Sequence, residues 1–402
     1  MRWRGMTPPP HVHRAFLCFG GARKSGSPIR GTTGTAQTGM IKAALNTAKD
    51  CLWRRSVSEA KILIMRLLVL GGTLYLGRTV VETAVSRGWQ VTTFNRGQSG
   101  SDVPGVRALR GDRTRLQDVK HLAGSGQWDA VVDMCGYVPR QVLDGARLLE
   151  PACARYVFVS TVSVYESWPA EPLSEASQVL ECPADAGQDY GPPDVEDGPT
   201  RYGRLKAGCE RAVLEAIGAE RAINVRPGVV LGPGEHVGRL PWWLRRVAAG
   251  GRVLAPGTPD RSIQPVDVRD VANFILGCLA NGIAGSFNVT APVGRDTFGD
   301  LLEACRQVTA SDAELVWVSD DELLALGIRQ WSELPLWRVH RGVWQVDSTA
   351  AHANGLSCRP LLETVAATWK WLSTTDPALV NERSAEIGLS RQREKDILAS
   401  VG

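Results

Sequence analysis

Residues 65–77 read Met65-Arg66-Leu67-Leu68-Val69-Leu70-Gly71-Gly72-Thr73-Leu74-Tyr75-Leu76-Gly77, and the fold turns on this stretch. Leu67 to Leu70 form a continuous apolar run, as expected of a parallel strand covered on both faces. From Leu76 the period lengthens. Leu76, Val80, Val81, Ala84 and Val85 share one helical face, and Gly88 supplies the stop. A strand, a glycine turn and a helix in that order present backbone N–H groups and a helix N-terminus to an anion. This is the unit that cradles a dinucleotide pyrophosphate. Gly71, Gly72, Thr73, Tyr75, Leu76 and Gly77 are its candidate contacts.

The pattern continues beyond the turn. Strands are predicted over Gln90 to Phe94, Val106 to Leu109, Trp128 to Asp133 and Arg155 to Thr161, with a helical stretch from Val142 to Leu149. Strands alternating with helices at this spacing predict an α/β protein, a Rossmann-type doubly wound parallel sheet. Such sheets bind ligands at their carboxyl strand ends, which is where Ser160 and Thr161 fall.

The end of the second strand bears on which dinucleotide binds. NAD-selective folds carry an acid there for the ribose 2′-OH. Here the chain reads Asn95-Arg96-Gly97, with no acid, and Arg96 is able to pair a 2′-phosphate through two N–H bonds. NADP is therefore expected ahead of NAD. Asp112, after the third strand, is a candidate contact on the adenine side.

Tyr202 and Lys206 open a long helix carrying Leu205, Cys209, Ala212, Val213 and Ala216. Residues four apart lie on one helical face, so an ammonium here favours the phenolate and lowers a tyrosine pKa from about 10 towards neutrality. A tyrosine so tuned exchanges a proton with a carbonyl/alcohol couple. With the glycine turn and strand-end hydroxyls ahead of it, the chain resembles the short-chain dehydrogenase/reductase superfamily, in its extended or atypical NAD-dependent epimerase/dehydratase branch. The resemblance spans about Met65 to Leu372. It rests on Gly71-Gly72-Thr73-x-Tyr75-x-Gly77, Val159 to Tyr165, Tyr202-Gly203-x-x-Lys206, Val225 to Gly234, Val266 to Ala272 and Gly285 to Val289.

What the resemblance implies is specific. Tyr202 is the acid/base, Lys206 its electrostatic partner and nicotinamide-ribose contact, and Thr161 holds the reacting oxygen. Ser160 and Ser163 are second choices, with Ser163 a candidate substrate contact. Asp267 and Asp270 are expected to fix a loop and cap the Val271–Leu279 helix. Three departures stand out: Leu74 replaces the usual middle glycine, Val162-Ser163 replaces the Asp-Glu of sugar dehydratases, and the tetrad asparagine has no counterpart near Cys135-Gly136. An NAD(P)-dependent oxidoreductase acting on a small molecule is the first expectation and a sugar epimerase the second. The third is a non-enzymatic or RNA-binding role, because the Gly-Gly-Thr turn and Phe94-Asn95-Arg96-Gly97 also resemble chloroplast stem-loop RNA-binding relatives.

Composition narrows these classes. The 402 residues are 44% apolar and 22% charged, ordinary for a soluble protein with a sizeable core. The net charge of +4 is uneven: residues 1–64 hold 11 Lys/Arg against Asp50 and Glu59, leaving the remainder at −5. Nucleic acid is thus not expected as a partner of the folded part. Nine scattered cysteines without a CxxC pair, and dispersed histidines, predict reduced thiols, no metal centre and a cytoplasmic protein. No apolar run approaches a membrane span. Dimerisation is usual in the superfamily, though its atypical members include monomers, so a monomer or homodimer is expected.

The expected organisation is an N-terminal disordered extension over 1–64, a dinucleotide-binding core over 65–225, a smaller C-terminal α/β substrate lobe with returning core elements over 226–373, and a polar tail over 374–402. Between Tyr165 and Thr200 lie nine acids, six prolines and no Lys/Arg, a solvated loop or a lid whose charge would repel anionic substrates. In the lobe, Trp242 or Trp243, Arg261 and Gln264 are candidate substrate contacts, and Trp331, Trp337 and Trp344 add aromatic surface.

Overall fold

The computed structural model describes residues 64–194, 198–374 and 387–400. Apart from Ile64, the basic N-terminal extension lies outside the described residues. The Leu67–Leu70 run forms the middle of β1 (Arg66–Leu70), which pairs in parallel with β2 (Gln90–Asn95) on one side and β4 (Trp128–Asp133) on the other. β3 (Arg107–Arg110), β5 (Cys153–Val159), β6 (Ala222–Pro227) and β11 (Gly285–Val289) complete a seven-stranded sheet. All its pairings are parallel, in the order β11-β6-β5-β4-β1-β2-β3. The order reverses at β1 and β4, so the crevice beyond their carboxyl ends is the switch point where such sheets take ligands.

Because side chains alternate along a strand, the apolar run serves two cores at once. Leu67 and Val69 pack with α1 (Tyr75–Ser86) and α6 (Val268–Asn281) on one face. Leu68 and Leu70 face the other core, shared by α2 (Leu116–Ala123), α3 (Pro139–Leu149) and α4 (Arg201–Ile217). A third core belongs to the C-terminal lobe. It gathers α5 (Arg239–Ala248), β8 (Arg252–Pro256), α7 (Phe298–Thr309), β13 (Glu314–Val318) and α10 (Leu361–Thr374) around Trp243, Phe298 and Trp337.

The polar C-terminal tail is in part something else. Residues 391–400 form α11, whose Ile397 and Leu398 are buried and whose Glu394 holds Arg246 of α5. The acidic insert likewise is not a free solvated loop where it is described. Leu173 and Leu180 are buried, Leu173 N–H donates to the Gln345 carbonyl at 2.9 Å, and Asp347 N–H donates back to Leu173 at 2.8 Å. Of its nine acids, Glu166, Glu171, Glu181, Asp185, Asp189 and Asp194 are exposed and Glu196 and Asp197 lie outside the described residues; Glu175 instead accepts from the Asn288 N–H at 2.9 Å.

Candidate active site

The glycine turn explains its own residues. Gly71 and Gly72 sit at φ +101° and +94°, a region closed to most side chains, and a Cβ on Gly72 would come within 2.9 Å of Val81. Gly77 lies against the turn, where a Cβ would stand 3.1 Å from Gly72 N. Leu74, in place of the usual glycine, is extended at φ −127°, so no glycine is required there. No side chain caps α1, which leaves the first N–H groups of a helix facing the crevice. A close-packed turn below an uncapped helix is what a diphosphate needs, and the residues present fit a dinucleotide. Tyr75 contributes backbone here. Its ring turns edge-on to His236, 5.7 Å away, and burial pushes its phenol well above the usual range.

At the far end of β2 the structure departs from the expectation. Asn95 Oδ1 accepts from Gly97 N–H at 2.8 Å and from Arg110 Nη1 at 3.0 Å, while its Nδ2 donates to Asp102 at 3.3 Å. An acid therefore does stand at this strand end, delivered by the following loop. Arg96 is exposed, and its charge is felt by Asp112, whose carboxyl is held low mainly by hydrogen bonds from Thr114.

The reacting centre forms where β5 meets α4. Thr161, two residues beyond the end of β5, caps a 3-10 turn over Val162–Val164, its Oγ1 accepting from Ser163 N–H at 3.2 Å. Thr200 caps α4 by accepting from Gly203 N–H at 3.0 Å, and Asp194 accepts from Arg201 N–H at 2.5 Å. A Cβ on Gly203 would overlap the Ser163 carbonyl, so only glycine lets the first turn of α4 reach the 3-10 turn. That contact brings Thr161, Ser163 and Tyr202 to one cavity.

Lys206 lies one turn deeper and is 3% exposed. Its ammonium donates to the Gly136 carbonyl at 2.9 Å and the Val159 carbonyl at 2.5 Å, and stands 4.0 Å from the Phe158 ring centre. Burial lowers its pKa to about 8, against support from Asp133 and Glu210. Tyr137, which sequence reasoning passed over, covers the other side at 5.4 Å and is 56% exposed on the same cavity. Its signal was available in the chain: it follows the carboxyl end of β4, beside Gly136.

The cavity holds about 1010 Å³ and runs from this centre into the lobe. Its far wall carries Trp168, Trp331 and Trp344 with Arg239, Arg329 and Arg338. Arg338 stacks on Trp168 at 4.9 Å and Arg239 on Trp331 at 5.2 Å. The substrate candidates of the lobe fare differently. Trp243 is fully buried with its indole N–H on the Pro335 carbonyl at 2.7 Å, and Trp242 packs edge-on against it, away from the cavity lining. Arg261 is committed to Asp320 and the Arg338 carbonyl, so it too leaves the candidate set. Gln264 lines the cavity, but its amide is spent on Ala291 and Val346 backbone. Trp337 is core, its N–H on Asp320 at 2.8 Å. Asp267 caps α6, and Asp270 pairs with Arg359 at 2.6 Å. Among the described residues there is no group of side chains fit to hold a metal, and no helix long and apolar enough to cross a membrane.

The chain is 30% identical over 243 residues to the 2-alkyl-3-oxoalkanoate reductase of Stenotrophomonas maltophilia, covering 55% of this chain and 68% of that protein. It is 27% identical over 283 residues to the chloroplast stem-loop binding protein of 41 kDa b of Arabidopsis thaliana, covering 66% and 67%. Among solved structures, the Bordetella bronchiseptica enzyme WbmG in complex with NAD matches with a TM-score of 0.59 at 17% identity, over 81% of this chain and 98% of that one. A UDP-glucose 4-epimerase of Thermotoga maritima matches at 0.55 and 18%, over 77% and 99%. These structures speak for the fold alone. The profile of the NAD dependent epimerase/dehydratase family matches residues 67–290, and with the glycine turn and the Thr161, Tyr202 and Lys206 centre in place, the chain belongs to that family.

Proposed function

We propose that the protein is an NAD(P)-dependent oxidoreductase of the short-chain type that interconverts a carbonyl and an alcohol on a small molecule. The observation that carries this reading is the meeting of Thr161 and Tyr202 on one cavity with Lys206 buried beneath them. When bound, the nicotinamide supplies or receives the hydride. Residues 71–77 would hold the diphosphate, through backbone N–H groups of the turn and of the first turn of α1. Thr161 steadies the reacting oxygen by hydrogen bonding. In the reducing direction Tyr202 gives that oxygen its phenolic proton and is left as phenolate. The Lys206 ammonium and the N-terminus of α4, on whose first turn Tyr202 sits, both favour that anion.

The preference for NADP drawn from the sequence loses its premise, since an acid does reach the end of β2. The arginines and indoles of the far wall suit a substrate with an acidic group and an apolar part, although Asp194 of the acidic insert lines the same cavity. The oxoalkanoate named for the Stenotrophomonas relative has both.

The test is consumption of reduced cofactor with oxo acids and their neutral amides. Tyr202→Phe should lose about 100-fold or more in turnover while still binding cofactor; unchanged turnover would remove Tyr202 from the chemistry. A sugar epimerase would use the same centre but consume no cofactor. The stem-loop binding of the Arabidopsis relative offers a third reading, checked by a salt-dependent gel shift with structured RNA.

A further inference from the structure

The loop after β2 carries a charge cluster that the chemistry above does not use. Asp102 stands seven residues beyond Asn95 in sequence, yet the loop folds back on the strand. Asp102 Oδ1 accepts from Asn95 Nδ2 at 3.3 Å and from Arg110 Nη1 at 3.2 Å, and its other oxygen accepts from Arg110 Nη2. Arg110 is the last residue of β3 and lies in register with Asn95. The loop is fastened on the side of the glycine turn as well. Arg78, next after Gly77, donates to the Ser101 carbonyl at 3.0 Å, and Gly100 lies so close that a Cβ would stand 3.1 Å from the Thr73 carbonyl. Gly97, at φ +71°, leaves room for the Arg110 guanidinium, 2.9 Å from where its Cβ would be.

The cluster therefore sits between the glycine turn and the carboxyl ends of β2 and β3. In this class of sheet an acid at the second strand end receives the ribose 2′-OH, and a cation there receives a 2′-phosphate. We propose that Asp102 is the cofactor-selecting residue of this protein: its carboxylate accepts the 2′-OH of NAD, repels the 2′-phosphate of NADP, and occupies Arg110, the cation that would otherwise hold that phosphate. Asn95 serves as the neutral strut that positions the pair. The hydrogen bonds from Arg110 hold the Asp102 carboxyl below its ordinary range, so it stays anionic at neutral pH. Arg96, which the sequence singled out, is not part of the cluster. This inference rests on the dinucleotide reading of the site.

The experiment is a pair of fluorescence titrations of the purified full chain with NADH and with NADPH, which report binding and not turnover. The wild-type chain is expected to bind NADH about tenfold more tightly or better, the scale of one charge-assisted hydrogen bond. Asp102→Asn keeps the shape and removes the charge; it should reverse the order by releasing Arg110. Arg110→Met in that background should abolish the gain in NADPH affinity. Arg110→Met alone should keep NADH binding and weaken NADPH further, so the proposal does not hang on one variant. A wild-type preference for NADPH, or an NADH/NADPH ratio that neither Asp102→Asn nor Arg110→Met moves, overturns the role of Asp102 and leaves the dinucleotide site standing. Failure of the folded wild-type chain to bind either cofactor overturns both.

Discussion

At the scale of single residues, Lys206 is the most constrained group of the site. Burial lowers its pKa from 10.5 to about 8, so it is an ammonium below that pH and loses its charge above it. If that charge favours the Tyr202 phenolate, turnover should fall as pH rises through about 8, and Lys206→Met should lose both the rate and that limb of the profile. A flat profile across this range would separate Lys206 from the chemistry. Tyr137 gives a second handle on the same charge. Its ring stands 5.4 Å from the ammonium, where a cation–π contact contributes about 0.5–1 kcal/mol, less than one pKa unit. The shift caused by burial is larger, so admitting water matters more than losing the ring. Tyr137→Ala should therefore move the basic limb upward, towards the ordinary lysine value, while Tyr137→Phe leaves it in place. The pH profiles of the two variants, measured side by side, decide the point.

At the scale of elements, the site depends on one close approach, between the first turn of α4 and the 3-10 turn at Val162–Val164. Gly203→Ala would force its methyl into the Ser163 carbonyl and push the two elements apart. A displacement of about 1 Å at a reacting centre costs on the order of 100-fold in rate, so turnover should fall on that scale while circular dichroism stays native. Gly145→Ala is the control. Its Cβ would meet nothing within 4 Å on α3, and the change should be neutral or add about 0.5–1 kcal/mol of stability. Sequence reasoning found α4 and the glycine turn because their signals are local, but not the 3-10 turn, ahead of which it ran the strand on to Thr161. The glycine turn, the Tyr202–Lys206 spacing and the apolar run of β1 each lie within a dozen residues, and strand ends shifted only slightly, as where β5 spans Cys153–Val159 and not Arg155 to Thr161. What it missed was long-range. Asp102 reaches Asn95 only by closure of a loop, and nothing at Asp102 itself announces that. Trp242, Trp331 and Trp337 carry the same pattern signal, yet packing puts one beside the core, one on the cavity and one wholly inside. Depth is settled by the third dimension.

At the scale of the molecule, residues 387–400 show how a segment with polar composition is drawn into the lobe. α11 buries Ile397 and Leu398, but its anchor is ionic. Glu394 accepts from Arg246 Nε at 2.7 and 2.6 Å and from the Leu254 N–H at 3.1 Å, while Arg246 also donates to the Gly250 and Arg252 carbonyls. The side chains of the pair are 5% and 3% exposed, and Arg252 in turn donates to the Leu398 carbonyl at 3.2 Å. Such a pair gains little over a well-packed apolar replacement, because desolvating both charges offsets most of their attraction. Breaking it is another matter, since the remaining charge stays buried without its counter-ion. Glu394→Ala should thus cost about 3–5 kcal/mol, read as a lower urea midpoint with an unchanged slope. The double change Arg246→Met with Glu394→Leu should recover most of that loss. If the pair held the helix by attraction alone, the double variant would be as unstable as the single one. The lobe also forms the far wall of the cavity, through Trp331, Arg329 and Arg338, so the single variant should weaken substrate binding more than cofactor binding. Equal loss of both affinities would mean that α11 supports the sheet as much as the lobe, which its contacts with β8 and α5 argue against.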